Sequence, residues 1–280
     1  MPGYLADALL ESIKITLFVL LMMIAVDLIN VWSKGKFALL LDSGGKWKQY
    51  FVSSAVGTVP GCMGAFANVS LYMHGMISFG ALAGSMIATS GDEAFVMLVM
   101  FPKTALILFI VLFIIGVFSS KIIDATVIKF NIQTSTDCEV KQYHKDERGF
   151  EHYFIEHIWG HIIKHHLWKT FLWTFGALIF IEIGKDYLNF DQLTHQYALL
   201  VLIFAALIGL IPESGPSLIF VTMFTTGIIP FSILLTNSIV QDGHGLLPLL
   251  SYSVKDSVKI KLFNLAIGLT LGIILFAFGL

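Results

Sequence analysis

The feature that most constrains this chain is the recurrence of apolar runs as long as a membrane span. "IKITLFVLLMMIAVDLINVW", "TALILFIVLFIIGVFSS" and "IKLFNLAIGLTLGIILFAFGL" fall near the start, middle and end of 280 residues. Roughly 20 apolar residues in a helix cross a bilayer core of about 30 Å. In lipid every backbone polar group must bond within the segment, which leaves only helices or closed barrels. The weak two-residue alternation of a barrel strand is absent. The expected class is an all-α polytopic membrane protein, in contact with lipid. Charged residues make up 13% of the chain, against about 25% in soluble domains. The first apolar run lacks a small-residue cleavage site and reads as a span, not a leader. Cys62 and Cys138 sit in different contexts, so no disulfide framework is expected. Neither the net charge of −2 nor any motif points to a nucleic-acid partner.

The chain also resembles itself. At an offset of 212 − 60 = 152 residues, Gly57 falls on Gly209, Pro60 on Pro212, Gly75 on Gly227, Phe79 on Phe231, Gly91 on Gly243 and Lys103 on Lys255. "GTVPGCMG" then pairs with "GLIPESGP", and "ATSGDE" with "VQDGHG". With a small gap, Asp27 pairs with Glu182, each inside an apolar helix. This predicts an N-terminal repeat over 1–120 and a C-terminal repeat over 166–280, joined by a polar linker at 121–165.

Lysines set the expected orientation. The loop at 33–49 carries Lys34, Lys36, Lys46 and Lys48, whereas its counterpart at 185–197 carries Lys185 beside Asp186 and Asp191. Basic loops stay inside, so equivalent loops are expected on opposite faces, as in inverted repeats. Inversion needs an odd number of crossings per half. Five fit, at about 13–32, 50–73, 76–90, 92–102 and 104–120. A hairpin of half-helices over 76–102 with three true crossings fits the parity equally. The linker and Lys255, Lys259 and Lys261 then fall inside, and both termini outside.

Short apolar segments interrupted by Gly and Pro at matching places in two halves point to a transporter's midplane site. Broken backbone at that depth is tolerated only inside protein or along a polar cavity. The expected breaks are Pro60, Gly61 and Gly91 in one half, and Pro212, Gly215, Gly243 and Gly245 in the other. They gather Cys62, Asp92, Glu93, Glu213, Gln241, Asp242 and His244 as candidate substrate or metal ligands around one pseudo-twofold axis. Carboxylates with one imidazole suit Mn²⁺ or Zn²⁺; the plainer reading is that the acids cap helix ends. Cys62 reads either as a soft ligand or as a small buried hydrophobe. Asp27, Glu182 and Lys103 are candidates for a proton or cation relay, or for groups that reach water at helix ends. Asp242 and His244, facing Asp92 and Glu93, are the expected centre of the site.

"GTVPGC", "ATSGDEAFVML", "FPK", "IPESGP" and "SIVQDGHGLLPLL" resemble the ten-helix heavy-metal exporters, distant relatives of the arsenical permeases that are also labelled manganese transporters. The resemblance covers both halves. It implies metal export across a prokaryotic inner membrane. One departure is the linker, which holds a single cysteine and is His-rich. There His157, His161 and His165 recur every four residues on one helical face. The absence of HExxH removes zincin-type hydrolysis, and the opposite apolar face suits a helix lying on the inner leaflet.

The leading expectation is a secondary transporter of a divalent cation such as Mn²⁺, with proton-coupled alternating access and no enzyme activity. It requires no cofactor beyond the bound cargo ion; its partners are lipid, cation and protons, with a homodimer possible. A transporter of an anion or small organic solute is the alternative, since half-helix N-termini at breaks favour anions. A membrane-embedded enzyme using His244 stands third. No Walker motif is present, so any ATP drive needs a separate subunit.

Overall fold

The computed structural model describes residues 8–17, 20–21, 45–73, 75–134, 168, 171–172, 174–180, 194 and 196–279. Among them the secondary structure is helical, with no strand. The first half contains α1 (Lys46–Gly57), α2 (Met63–Met73), α3 (Phe79–Ala88), α4 (Glu93–Met100) and α5 (Pro102–Lys129). The second contains α6 (Ala198–Gly209), α7 (Leu218–Thr225), α8 (Phe231–Val240), a 3-10 turn (Gly243–Leu246), α9 (Leu247–Tyr252) and α10 (Val254–Ala277).

Adding 152 to the bounds of α1 and α3 returns those of α6 and α8, and α5 and α10 begin at equivalent residues. The punctuation matches too. α2 and α7 both end in a Schellman turn, with Met76 N–H donating to Leu71 C=O and Ile228 N–H to Met223 C=O, each at 2.9 Å. Gly75 and Gly227 supply the left-handed residue (φ 68° and 74°) that such a turn requires. α5 and α10 each start after a break, α5 with Pro102 at its first position, where the missing N–H costs nothing.

Packing repeats in the same way. α3 lies against α1 and α5, and α8 against α6 and α10. Between halves, α2 packs on the 3-10 turn and α7 packs on α4, again an equivalent pair. The close approach of α3 to α5 depends on small residues: a Cβ added at Gly84 would overlap Ser120 Oγ and the Gly116 carbonyl. The equivalent seam in the second half joins Thr236 of α8 to Gly268 and Gly272 of α10.

Chain direction follows from the end-to-end contacts. The start of α1 and the residues after α2 lie together, because Gln49 Nε2 donates to the Met76 carbonyl (3.3 Å). α1 and α2 therefore form a hairpin whose tip is the break at 58–62. The C-terminal end of α5 shares that end of the molecule: Asp124 accepts from the Gly80 N–H (2.7 Å) and from Tyr50 Oη (2.8 Å). The N-terminal end of α10 is there as well, since Asp256 accepts from Tyr72 Oη (2.8 Å) and Lys259 Nζ donates to the Gln133 carbonyl. At the opposite end, Phe101 stacks edge-on against Phe224 at 5.2 Å, where α4 and α7 finish.

These contacts redraw the crossings expected from sequence. The segment at 50–73 is a hairpin, not a single crossing. Residues 76–90 and 92–102 are not two crossings, nor a hairpin. α3 and α4 are two pieces of one interrupted helix, and Phe79–Met100 together have the length and apolarity of one span. Pro102–Lys129 and Val254–Ala277 are the long continuous candidates. α5 also continues to Lys129, past the linker boundary expected at residue 121.

A candidate metal site at the helix breaks

The centre of the molecule is made by backbone that leaves the helix. After α3, Thr89 is extended (φ −83°, ψ 140°), and after α8 so is Gln241 (φ −74°, ψ 145°). Gly91 and Gly243 follow in the left-handed region, at φ 53° and 52°. Glycine alone adopts this conformation without strain from a side chain. The two glycines also face each other: a Cβ on either would lie 3.3 Å from the other's Cα. They are repeat mates, so the local twofold axis passes between them. Gln241 Nε2 donates across the axis to the carbonyl of its own mate, Thr89, at 3.4 Å. The tip of the α1–α2 hairpin is tied in by the Gly61 N–H, which donates to the Gly91 carbonyl at 3.0 Å.

Around this axis three potential ligands converge. Cys62 Sγ lies 3.5 Å from Asp92 Oδ1, and His244 Nδ1 lies 3.6 Å from Asp92 Oδ2. One donor atom from each of Cys62, Asp92 and His244 falls within 4.8 Å of the others. Zn–S of ~2.3 Å and Zn–O of ~2.0 Å at a tetrahedral angle place sulfur and oxygen about 3.5 Å apart. The thiol and carboxylate therefore already have the spacing of two ligands on one small ion. His244 Nε2 meets Glu213 Oε1 at 3.0 Å. A carboxylate on the far nitrogen of a metal-binding imidazole fixes its tautomer and aims the other nitrogen at the ion. Glu213 fits that orienting role, and Nδ1 then faces Asp92 and Cys62. The Glu213 side chain is 27% exposed, which makes its side the open one. Asp92 and His244 are repeat mates, as are Cys62 and Ser214. The site thus straddles the axis, with chemically different donors at equivalent positions.

The rest of the expected centre is arranged otherwise. Asp242 is fully buried and points away from His244 to Lys261 Nζ, 2.8 Å from Oδ1. Lys261 also donates to the carbonyls of Gly209 (2.9 Å) and Val240 (3.3 Å), the last residues of α6 and α8. It is therefore no loop cation like Lys255 and Lys259, with which the sequence grouped it. Lys261 is seven residues into α10 (261 − 254), a depth of about 10 Å at 1.5 Å per residue. That depth was the signal available in the sequence. Glu93, adjacent to Asp92, is 1% exposed and turns into the packed interior, without a hydrogen-bond partner among the described residues. Gln241 sits at the axis, its Oε1 accepting from the Gly243 N–H (2.9 Å). Pro60 and Gly61 (φ 91°) lie in the first hairpin tip; Pro212 and Gly215 lie in the equivalent turn. Gly245 packs against Ala65. Lys103 is exposed near the start of α5 and is not part of the cluster. Asp27, Glu182, Cys138, His157, His161 and His165 lie outside the described residues.

A family model described as "Putative, 10TM heavy-metal exporter" matches this chain over residues 4–187 and 171–278. No curated protein and no solved structure matches it.

Proposed function

The chain belongs to this family of ten-transmembrane heavy-metal exporters, and from that premise we propose that it is a secondary transporter that carries a divalent transition-metal cation through the Cys62–Asp92–His244 site. The carrying observation is the convergence of a thiol, a carboxylate and an imidazole between helix breaks that stem from opposite halves. Thiolate and imidazole with one or two carboxylates select borderline ions such as Zn²⁺, Cd²⁺ or Co²⁺. Mn²⁺ and Ca²⁺ favour sites built wholly of oxygen. The donor set therefore moves the reading from the Mn²⁺ expected on resemblance toward zinc-like ions. Acidic groups at both breaks also disfavour an anion as cargo.

Alternating access by inverted repeats is part of this reading. Its support is that α5 ends, and its mate α10 begins, at one end of the molecule. Lys46, Lys48, Lys121, Lys129, Lys255 and Lys259 fall at that end, and Lys103 at the other. The positive-inside rule makes the lysine-rich end cytoplasmic. In this arrangement α1–α2 and its mate are re-entrant hairpins that meet the interrupted helices at mid-depth. Protons compete for the same thiol, imidazole and carboxylates, so binding one set of ions expels the other and exchange follows.

The test is flux in proteoliposomes loaded with Zn²⁺, Cd²⁺, Co²⁺, Mn²⁺ or Ca²⁺, with and without a pH gradient. Zn²⁺ or Cd²⁺ flux, accelerated by opposing protons and abolished in Asp92→Asn and His244→Ala, is expected. Flux of Mn²⁺ alone, or of an anion, would replace the reading with that substrate, and unchanged Zn²⁺ flux in Asp92→Asn would move the site elsewhere.

A further inference from the structure

Glu93 is a buried carboxylate that the metal site does not use. At 1% exposure neither of its oxygens has a hydrogen-bond partner among the described residues. An isolated buried charge costs several kcal/mol, so such a group persists only with a counter-charge or a bound proton. The buried lysine of the described core is already engaged with Asp242 and two carbonyls.

The twofold relation says what surrounds Glu93. Its mate is Gly245 (245 − 152 = 93). A Cβ built on Gly245 would lie 2.5 Å from Ala65 Cβ and 3.7 Å from Met86 Sδ. The mates of Ala65 and Met86 are Ser217 (65 + 152) and Ser238 (86 + 152). The contact between α2 and the 3-10 turn that creates the first arrangement has its counterpart in that of α7 and α4. Where one half packs alanine, methionine and glycine, the other therefore gathers a carboxylate and two hydroxyls. Ser217 and Ser238 are 1% and 0% exposed, and their Oγ atoms also lack partners among the described residues. Ser217 stands at the start of α7 without using its hydroxyl as a cap. Three buried, unpartnered oxygen-bearing side chains at one symmetry-related position are the opposite of what apolar packing would select.

We propose that Glu93, Ser217 and Ser238 form a second, buried cation site that takes one monovalent hard cation, with Na⁺ the fitting ion. One carboxylate balances one positive charge. The hydroxyls supply neutral oxygen ligands of the kind hard cations prefer. The site lies one residue from Asp92, so its occupant and the transported metal are held by adjacent residues at the start of α4. It stands apart from the metal site in its donors: it contains no sulfur or nitrogen.

The experiment is thermal unfolding of the full-length, metal-free protein in NaCl, KCl and N-methyl-D-glucamine chloride at constant ionic strength and pH. Na⁺ is expected to raise Tm saturably by roughly 2–4 °C over the organic cation. The rise should vanish in Glu93→Gln and, independently, in Ser217→Ala/Ser238→Ala. It should persist in Cys62→Ala, which makes the outcome independent of the metal-transport reading. An identical Tm in all three salts at every pH tested overturns the proposal, as does an Na⁺ response that survives in both variants. A Tm that responds to pH alone also overturns it and assigns Glu93 a proton instead.

Discussion

At the scale of single residues, the site divides into side chains that meet the cargo and side chains that hold them in place. Cys62 supplies the one soft donor. Cys62→Ser should weaken Cd²⁺ and Zn²⁺ binding at least tenfold while narrowing the gap to Mn²⁺, as measured by competition titration, because oxygen replaces sulfur. Glu213 acts through His244, so Glu213→Gln should cost about 10–100-fold in metal affinity. Metal affinity should fall steadily on acidification, since the ligands bind metal only when deprotonated. Asp242 has a different part: it is paired with Lys261 at zero exposure. Removing one member leaves an uncompensated charge, so Asp242→Asn or Lys261→Met alone should destabilise by about 3–5 kcal/mol. The double variant should recover most of that loss in the same denaturation measurement. Equal losses in single and double variants would show that the pair is not the cause.

At the scale of elements, the interrupted helices are held open by backbone geometry and closed around by small-residue seams. Gly91 and Gly243 combine positive φ with a mutual Cα approach that leaves no room for a Cβ. Ala at either position meets about 1–3 kcal/mol of backbone strain plus a steric clash. Transport should therefore fail before insertion does, as a flux assay beside a membrane-extraction assay would reveal. The α3–α5 seam tolerates even less. Gly116→Leu would force the helices apart along Ala88 and Ser54 and should abolish the folded state. Gly176, with open space around it, should accept alanine with no change in Tm.

At the scale of the whole molecule, repeat mates allow a direct test of inversion. Lys103 and Lys255 are exposed and 152 residues apart, and they lie near the starts of α5 and α10. In a Cys138→Ser background, Lys103→Cys should react with an impermeant maleimide only from the outer face. Lys255→Cys should react only from the inner face. Labelling of both from one face would exclude inverted halves. Native Cys62 is buried and should stay silent in the control.

What the sequence determined by itself is what local periodicity and composition encode. Apolar runs of spanning length required helices in lipid, and the recurrence of Gly, Pro and Lys at one offset located both breaks before any coordinates. The same offset aligned α1 with α6 and α3 with α8 to the residue, because caps and left-handed turns depend on nearby residues. The sequence could not tell a crossing from a hairpin. Both are apolar helices of similar length, and only the contact of Gln49 with Met76 closes α1 back onto its own side. Nor could it rank the acids at the breaks. Asp92, Glu93 and Asp242 look equivalent in the chain, yet one faces a thiol and an imidazole, one is buried alone, and one is neutralised by Lys261. That last choice belongs to tertiary structure, because a partner from 19 residues away (261 − 242), on another helix, decides what a carboxylate does.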